Sequence, residues 1–482
     1  MWPISIEATG HGHKCFPQHD SSGTTAMPIV RWVRKLQFHF RQGLDIPLSG
    51  PPRPDIHATT VGSVALLPGD YPGIRPVLRV EEGARVSLGQ TLFEDRADAR
   101  LRFVSPGAGT VAAIHRGARR ALRGIVIALE GSAEVAFPPV PRERLAALPR
   151  EDVRQRLLDA GLWSSIRSRP YGRVAAPDDL PHALFVTAMD TNPLAPDPRI
   201  MIGEYSDDFA DGVLALAALL DGDVYVCCAP GTELRLPDHP RLAVAEFSGP
   251  HPAGLPGTHI HAIAPVSARR SAWYVGYQDA IAIGRLLTTG RLSTERVISL
   301  AGPSVTQPRL IRTRLGASID DLVHGEIGPG DCRVLSGSVL AGRTTSDWAA
   351  FLGRYHCQVT VLPEGRNREF LGWTMPGADK FSLTRTFLSN FLPKRLFPLT
   401  TSQLGSPRAM IPIGGFERVM PLDLLPTQLL RAIAVGDTDA AQQLGCLELE
   451  EEDLALCSFV CPSKYDYGPL LRQALTRIEK EG

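Results

Sequence analysis

Between residues 182 and 290, short β-branched and aromatic runs alternate with segments whose apolar positions recur every three or four residues. That alternation predicts a parallel sheet covered by helices. Ala183–Ala188, Asp223–Cys228 and Arg241–Phe247 read as strands, and Trp273–Val275 leads into a helix over Asp279–Leu287. Phe209, Val213, Leu216 and Leu220 share one face of a helix over 207–222, with Ser206 suited to its start and Gly222 to its end. Ligands of such sheets sit at the carboxyl ends of the strands, so chemistry is expected in the loops after Ala188, Cys228 and Phe247. No Gly-x-Gly-x-x-Gly follows any of these strands, and no phosphate-cradling loop with its lysine occurs in the chain.

On the amino-terminal side, residues 1–35 lack periodicity and read as an unstructured extension; His11, His13, Cys15 and His19 within it have metal-ligating side chains but no scaffold. Short strands follow at 61–66, 77–80, 91–94, 102–104, 109–114 and 124–129, with glycine turns at 82–90 and 105–111. This spacing resembles the flattened barrel of lipoyl- and biotin-carrying domains. The carrier hairpin would be Glu94–Asp98, which has no lysine to modify. A helix is expected from Glu151 to Leu162. Arg167 and Arg169, two apart, present the forked donors that grip anions; a solvated loop is the alternative.

Beyond the sheet, His251, His259 and His261 invite a metal reading, set against turn and capping roles for a loop that also carries Gly254 and Gly257. His259 and His261 are read there as an extended pair. Residues 295–343 read as strands around a helix at 318–323, and 355–373 as a hairpin turning at Pro363–Arg366. Helices return from Phe381.

Composition removes several function classes. The 482 residues carry no formal net charge, so no nucleic-acid footprint or polybasic membrane patch is present. No apolar run approaches the ~18 residues of a membrane span, so any membrane contact comes through partners. Eight cysteines, two of them adjacent, do not form a disulfide framework. No lysine occurs between Lys35 and Lys380, which excludes lysine-based catalysis or cofactor attachment across that span. Cys457 and Cys461-Pro462 resemble the end of a ferredoxin-type cysteine run, yet Glu451 and Leu454 stand where two more ligands belong. The pair is read as a remnant, with a labile disulfide as a minor alternative.

Four segments, Gly43–Gly50, Thr187–Leu194, His251–His261 and Leu444–Gly468, together resemble the A subunit of the bacterial Na+-translocating NADH:quinone reductase. The resemblance extends to the C subunit of the Rnf complex and to the NADH/FMN-binding subunit of complex I. It implies an α/β multidomain protein: a barrel-sandwich domain (36–135), a Rossmann-like α/β domain (136–292), a β-grasp domain with hairpin (293–378) and a C-terminal helical domain with the degenerate iron–sulfur motif (379–482). It further implies a peripheral subunit on the cytoplasmic side of the bacterial inner membrane. The partners implied are the other members of a six-subunit complex, among them the membrane-embedded B subunit. That complex oxidises NADH, reduces ubiquinone and pumps Na+. No cofactor is expected on this chain, because bulky Trp163–Pro170 stand where relatives bind flavin; flavins and 2Fe-2S belong to partners. Ubiquinone is the expected ligand, with His251, Gly254, Gly257, His259, His261, Arg167 and Arg169 as contact candidates. An autonomous flavin- or NAD-dependent oxidoreductase, or a scaffold without quinone contact, are the alternatives.

Overall fold

The computed structural model describes residues 34–367, 369–384, 386–391 and 395–481. His11, His13, Cys15 and His19, and nearly all of the expected extension, lie outside the described residues.

A seven-stranded sheet forms the centre, in the order 34–39, 242–248, 223–228, 183–188, 272–276, 167–169, 173–174. The first five are mutually parallel, and 167–169 runs antiparallel to both of its neighbours, 272–276 and 173–174. Alternate residues of each strand serve opposite faces. Leu184, Val186, Val224, Val226 and Val275 pack under the helices Ser206–Ala218 and Tyr277–Thr289. Phe185, Tyr225, Cys227, Ala245 and Phe247 pack under the helix Pro256–Ile263. The two long helices touch backbone to backbone: a Cβ on Gly212 would lie 1.9 Å from the Ala280 carbonyl oxygen. Only glycine permits that approach.

Residues 36–58, grouped with the barrel on sequence, are divided between two other sheets. The edge strand Arg34–His39 pairs with Leu242–Ser248, where Lys35 and Gln37 reach the buried Glu246 carboxylate at 2.7 and 2.8 Å and Phe38 stacks on Phe247 at 4.8 Å. Arg53–Ala58 pairs with Arg309–Arg314. Neither pairing has a local sequence signal. The barrel strands lie between Ser63 and Leu129, in sheets of four and three strands. They enclose Val64, Leu92, Phe93, Phe103, Val111, Ile125 and Ile127.

The third sheet is six-stranded, in the order 343–344, 332–336, 358–363, 295–301, 309–314, 53–58. Ser318 caps the expected short helix, Ile319–Val323, by accepting the Asp321 N–H. The hairpin expected over 355–373 does not form. Among the described residues of that span only Gln358–Pro363 is a strand, and its antiparallel partner is the distant Cys332–Ser336. The turn residue Glu364 is held sideways by Arg333 at 2.8 Å and by Thr401, which turns the chain away from a returning strand. Helices also do not return at Phe381. Among the described residues, α-helices resume at Gly415, and the segment before it holds two short 3-10 turns. The helices Pro426–Val435 and Tyr467–Glu481 then close a second core around Leu429, Leu454, Cys457, Tyr467 and Leu471.

Candidate functional site

Strand order reverses between Ala183–Ala188 and Ala272–Gly276, because the chain steps outward from the first on one side and returns on the other. The crevice beyond their carboxyl ends is where an open α/β sheet takes its ligand. Here the loop Met189–Leu194 and the first turn of Tyr277–Thr289 line it, and the six-stranded sheet closes it. The Gln278 amide donates to the Val297 carbonyl at 2.7 Å and accepts the Val297 N–H at 3.0 Å. Gln358 donates to the Pro193 carbonyl at 2.9 Å. Asp279 meets Arg354 at 3.0 Å and also pairs with Arg296, all three being buried. Burial alone would raise the Asp279 carboxyl, but the Arg354 and Arg296 guanidiniums outweigh it and hold it below the ordinary carboxylate range. The crevice beyond these strand ends is thus filled by side chains of the same chain.

A second charged cluster lies beside it. Strand residues Arg167 and Arg169 project to one side, and the anion they meet is the chain's own carboxyl-terminal segment. Arg169 is fully enclosed; its Nη1 donates to Asp453 Oδ2 at 2.5 Å and to the Glu448 carbonyl at 2.6 Å. Its Nε lies 3.1 Å from Glu450 Oε1 without hydrogen-bond alignment. Tyr274 donates to Glu450, and Arg167 is sandwiched between the Tyr274 and Tyr355 rings at 4.5 and 4.4 Å. The solvated-loop alternative for these arginines is therefore wrong. Alternation along the strand turns both toward buried carboxylates that arrive some 280 residues later in sequence.

The five loop candidates have separate tasks. His259 and His261 lie on the helix Pro256–Ile263, not in an extended segment. Two helical steps rotate a side chain by about 200°, so the pair diverges. His259 is buried against Phe247 and donates Nε2–H to the Ala253 carbonyl at 3.0 Å; burial pushes it down to about 3. His261 accepts the Asp423 N–H at Nε2, which leaves Nδ1–H to donate to Glu448 at 2.8 Å. His251 is neutral, pushed down to about 4 by burial, with Nδ1 3.1 Å from the Thr191 hydroxyl. The same hydroxyl accepts the Gly254 N–H at 2.9 Å. Gly257 is a glycine because a Cβ there would stand 2.2 Å from Asp453 Oδ1. Loops after Ala188 and Ser248 therefore meet each other and the carboxyl-terminal segment. Among the described residues, no group of three His, Cys, Asp or Glu side chains is placed to hold a metal.

Cys457 and Cys461 are free, buried thiols; Cys461 Sγ lies 3.5 Å from the Tyr467 hydroxyl. Burial pushes the Cys457 thiol up, so it is not a thiolate at neutral pH. Cys357 sits 3.8 Å from the Gln278 amide.

Glu452 gives the charged cluster a pH signature. Burial, opposed by Arg167 and reinforced by Glu450 and Asp453, pushes its carboxyl up to about 7. An unfolded glutamate titrates near ~4.3, so the folded chain holds this proton more tightly. Its stabilising contribution is complete below about pH 4.3 and is lost as pH rises through 7, an effect of about 3–4 kcal/mol. Glu452→Gln should therefore gain urea stability relative to wild type between pH 5 and 8. A difference between the two that stays flat with pH would contradict this.

Sequence reasoning missed Asp279, Arg296, Arg354, Glu448, Glu450 and Asp453. A weak signal existed: Arg296 heads an apolar strand, and Leu447 and Leu449 alternate with Glu448 and Glu450. A further feature had no periodic signature. Phe370, Phe391 and Leu404 are 91%, 82% and 86% exposed, with Met375, Leu388, Ile411 and Ile413 also at the surface. All seven fall between residues 370 and 413. Among the described residues, no helix is long and apolar enough to cross a membrane.

Comparison with known families accounts for most of this architecture. The NqrA N-terminal barrel-sandwich hybrid domain matches residues 38–130, the NqrA second alpha/beta domain residues 148–292, and the NQRA C-terminal domain residues 297–347. The A subunit of the Na(+)-translocating NADH-quinone reductase of Saccharophagus degradans is 53% identical over 443 residues, 92% of this chain and 99% of that protein. The A subunits of the Histophilus somni and Neisseria meningitidis reductases are 53% and 52% identical over the same shares. A solved NAD+-reducing [NiFe]-hydrogenase overlays at a TM-score of 0.34 with 15% identity, over 46% of this chain and 49% of that one, too loosely to bear on function. On the strength of identity sustained across nearly the whole length of these relatives, the chain belongs to the family of Na+-translocating NADH-quinone reductase A subunits.

Proposed function

We propose that this chain works as the peripheral A subunit of a Na+-translocating NADH:ubiquinone reductase, supporting the ubiquinone-reduction end and carrying no redox centre of its own. The observation that carries the reading is the full-length family membership. The closed crevice supports the second half of it: where a Rossmann-like domain would seat a flavin or nucleotide, Gln278, Asp279, Arg296, Arg354 and Gln358 knit the α/β unit to the next sheet. That next sheet, with its single short helix, is read as β-grasp, and the residues from Gly415 onward as the helical domain.

In this reading Arg167, Arg169, His251, Gly254, Gly257, His259 and His261 fix the carboxyl-terminal segment on the α/β sheet. Contact with quinone and with the membrane-embedded B subunit falls to the apolar surface around Phe370, Phe391 and Leu404, on the cytoplasmic side of the inner membrane. Flavins and 2Fe-2S reside in the other members of the six-subunit complex.

The test uses the assembled complex. Deleting the chain should abolish Na+-stimulated ubiquinone reduction by NADH in membranes, and the tagged chain should bring the membrane subunits with it on purification. Phe370→Asp together with Leu404→Asp should break that co-purification without unfolding the chain. Unchanged ubiquinone reduction after deletion, or stoichiometric flavin on the isolated chain, would overturn the proposal.

A further inference from the structure

The two longest barrel strands, Gly109–Arg116 and Leu122–Leu129, pair antiparallel and are joined by a tight turn. Four arginines crowd the end of this hairpin: Arg116, Arg119, Arg120 and Arg123, all exposed. Among the described residues none of the four meets a carboxylate. Arg116 reaches the Arg120 carbonyl at 3.3 Å, and Arg123 lies over the Trp348 ring at 5.5 Å. Elsewhere on the barrel, Arg79, Arg85, Arg100 and Arg102 are each held by an acidic side chain. Glu82 serves the stem of the hairpin, where its carboxylate accepts the Ile114 N–H at 2.7 Å. Zero net charge predicts no polybasic patch, but it is a sum over 482 residues and conceals this loop.

The turn carries a second, independent observation. The Ala121 N–H donates to the Ala118 carbonyl at 3.1 Å, and between them Arg119 and Arg120 sit at φ 54° and 60°. Two successive left-handed residues make a type I′ turn, for which Asn-Gly is the preferred pair. An arginine Cβ crowds the backbone in that conformation. The sequence thus keeps charge at the apex against the local backbone preference, and such strain persists where the side chains have a use. Gly117, Ala118 and Ala121 stand between the arginines, and Leu122 packs against the barrel core. A peptide would find no apolar anchor and no neutral hydrogen-bonding side chain there. A lipid leaflet needs neither, because mobile anionic headgroups gather around a protruding cationic tip and each arginine adds to the attraction.

We infer that this hairpin tip docks on the anionic phospholipid headgroups of a membrane surface. The contact is electrostatic, requires no other subunit, and goes beyond the partner-mediated attachment proposed for the chain.

The experiment is co-sedimentation of the full chain with vesicles of phosphatidylcholine and phosphatidylglycerol in equal parts, at low and at raised salt. Binding is expected at low salt, with release as salt screens the charges and none to phosphatidylcholine alone. Each arginine removed should weaken it about fivefold. Arg119→Asn with Arg120→Gly removes two charges and installs the preferred turn pair, so it should bind at least tenfold more weakly while its melting temperature holds or rises. Arg116→Gln with Arg123→Gln should weaken binding to a similar degree and leaves the turn untouched. Arg269→Gln with Arg270→Gln, an equal loss of charge in an exposed turn of the α/β unit, should bind as wild type does. No sedimentation with the anionic vesicles at low salt would overturn the inference. So would full affinity in both hairpin variants, or binding to a soluble polyglutamate peptide but not to the vesicles.

Discussion

Arg169→Met is expected to lower the unfolding free energy by about 3–5 kcal/mol, the range for breaking one side of a buried ion pair. Arg169 has no exposed side-chain surface, and its partners Asp453 and Glu450 are 1% and 5% exposed. Removing the guanidinium leaves two carboxylates and the Glu448 carbonyl facing each other out of water. Glu450 is held below the ordinary carboxylate range, against its burial, by Arg169 first and Arg167 second. Without Arg169 it should take up a proton more readily, so the penalty should be largest at alkaline pH and shrink on acidification. Adding Glu450→Gln and Asp453→Asn to the variant should restore part of the loss, since uncharged groups cost less to leave unpaired. Arg477→Gln, which removes an exposed pair with Glu481, should stay within about 0.5 kcal/mol. Urea unfolding of the four proteins measures all of this. A loss below about 1 kcal/mol for Arg169→Met would show that the cluster does not hold the carboxyl-terminal segment in place.

Asp279→Asn should produce a loss of similar size, about 3–4 kcal/mol, in a different part of the molecule. One carboxylate there neutralises two arginines, Arg296 and Arg354, whose side chains are 4% and 6% exposed. The amide keeps the shape and removes the charge, leaving two buried cations side by side. Because both come from the six-stranded sheet or its flank, the damage should appear at its seam with the α/β sheet. Amide exchange should quicken in Glu295–Ala301 while the parallel strands stay protected. Equal quickening in both sheets would indicate global destabilisation and no special role for the seam.

Much of the architecture is legible in the sequence because its signals are local. Period-2 and period-3.6 patterning marks Ala183–Ala188, Asp223–Cys228 and the long helices to within a few residues. Glycine turns mark most of the barrel. The misses share one cause. The hairpin over 355–373 follows from alternation, but alternation does not say which strand is the partner. Gln358–Pro363 pairs with a segment more than twenty residues earlier. His259 and His261 read as extended because Pro256 and Gly257 suggest a turn; Pro256 instead opens a helix, at the first-turn position where its missing N–H costs nothing.

The sequence by itself determined the α/β and barrel character, the want of a phosphate-binding loop and the family to which the chain belongs, because each rests on neighbours within some thirty residues. Tertiary structure alone decided what Arg167 and Arg169 grip and where Asp279 finds its two arginines. Those are questions of charge pairing between residues far apart in the chain. Formal neutrality is a sum, and a sum does not say which cation meets which anion; only the packing that takes each pair out of water does.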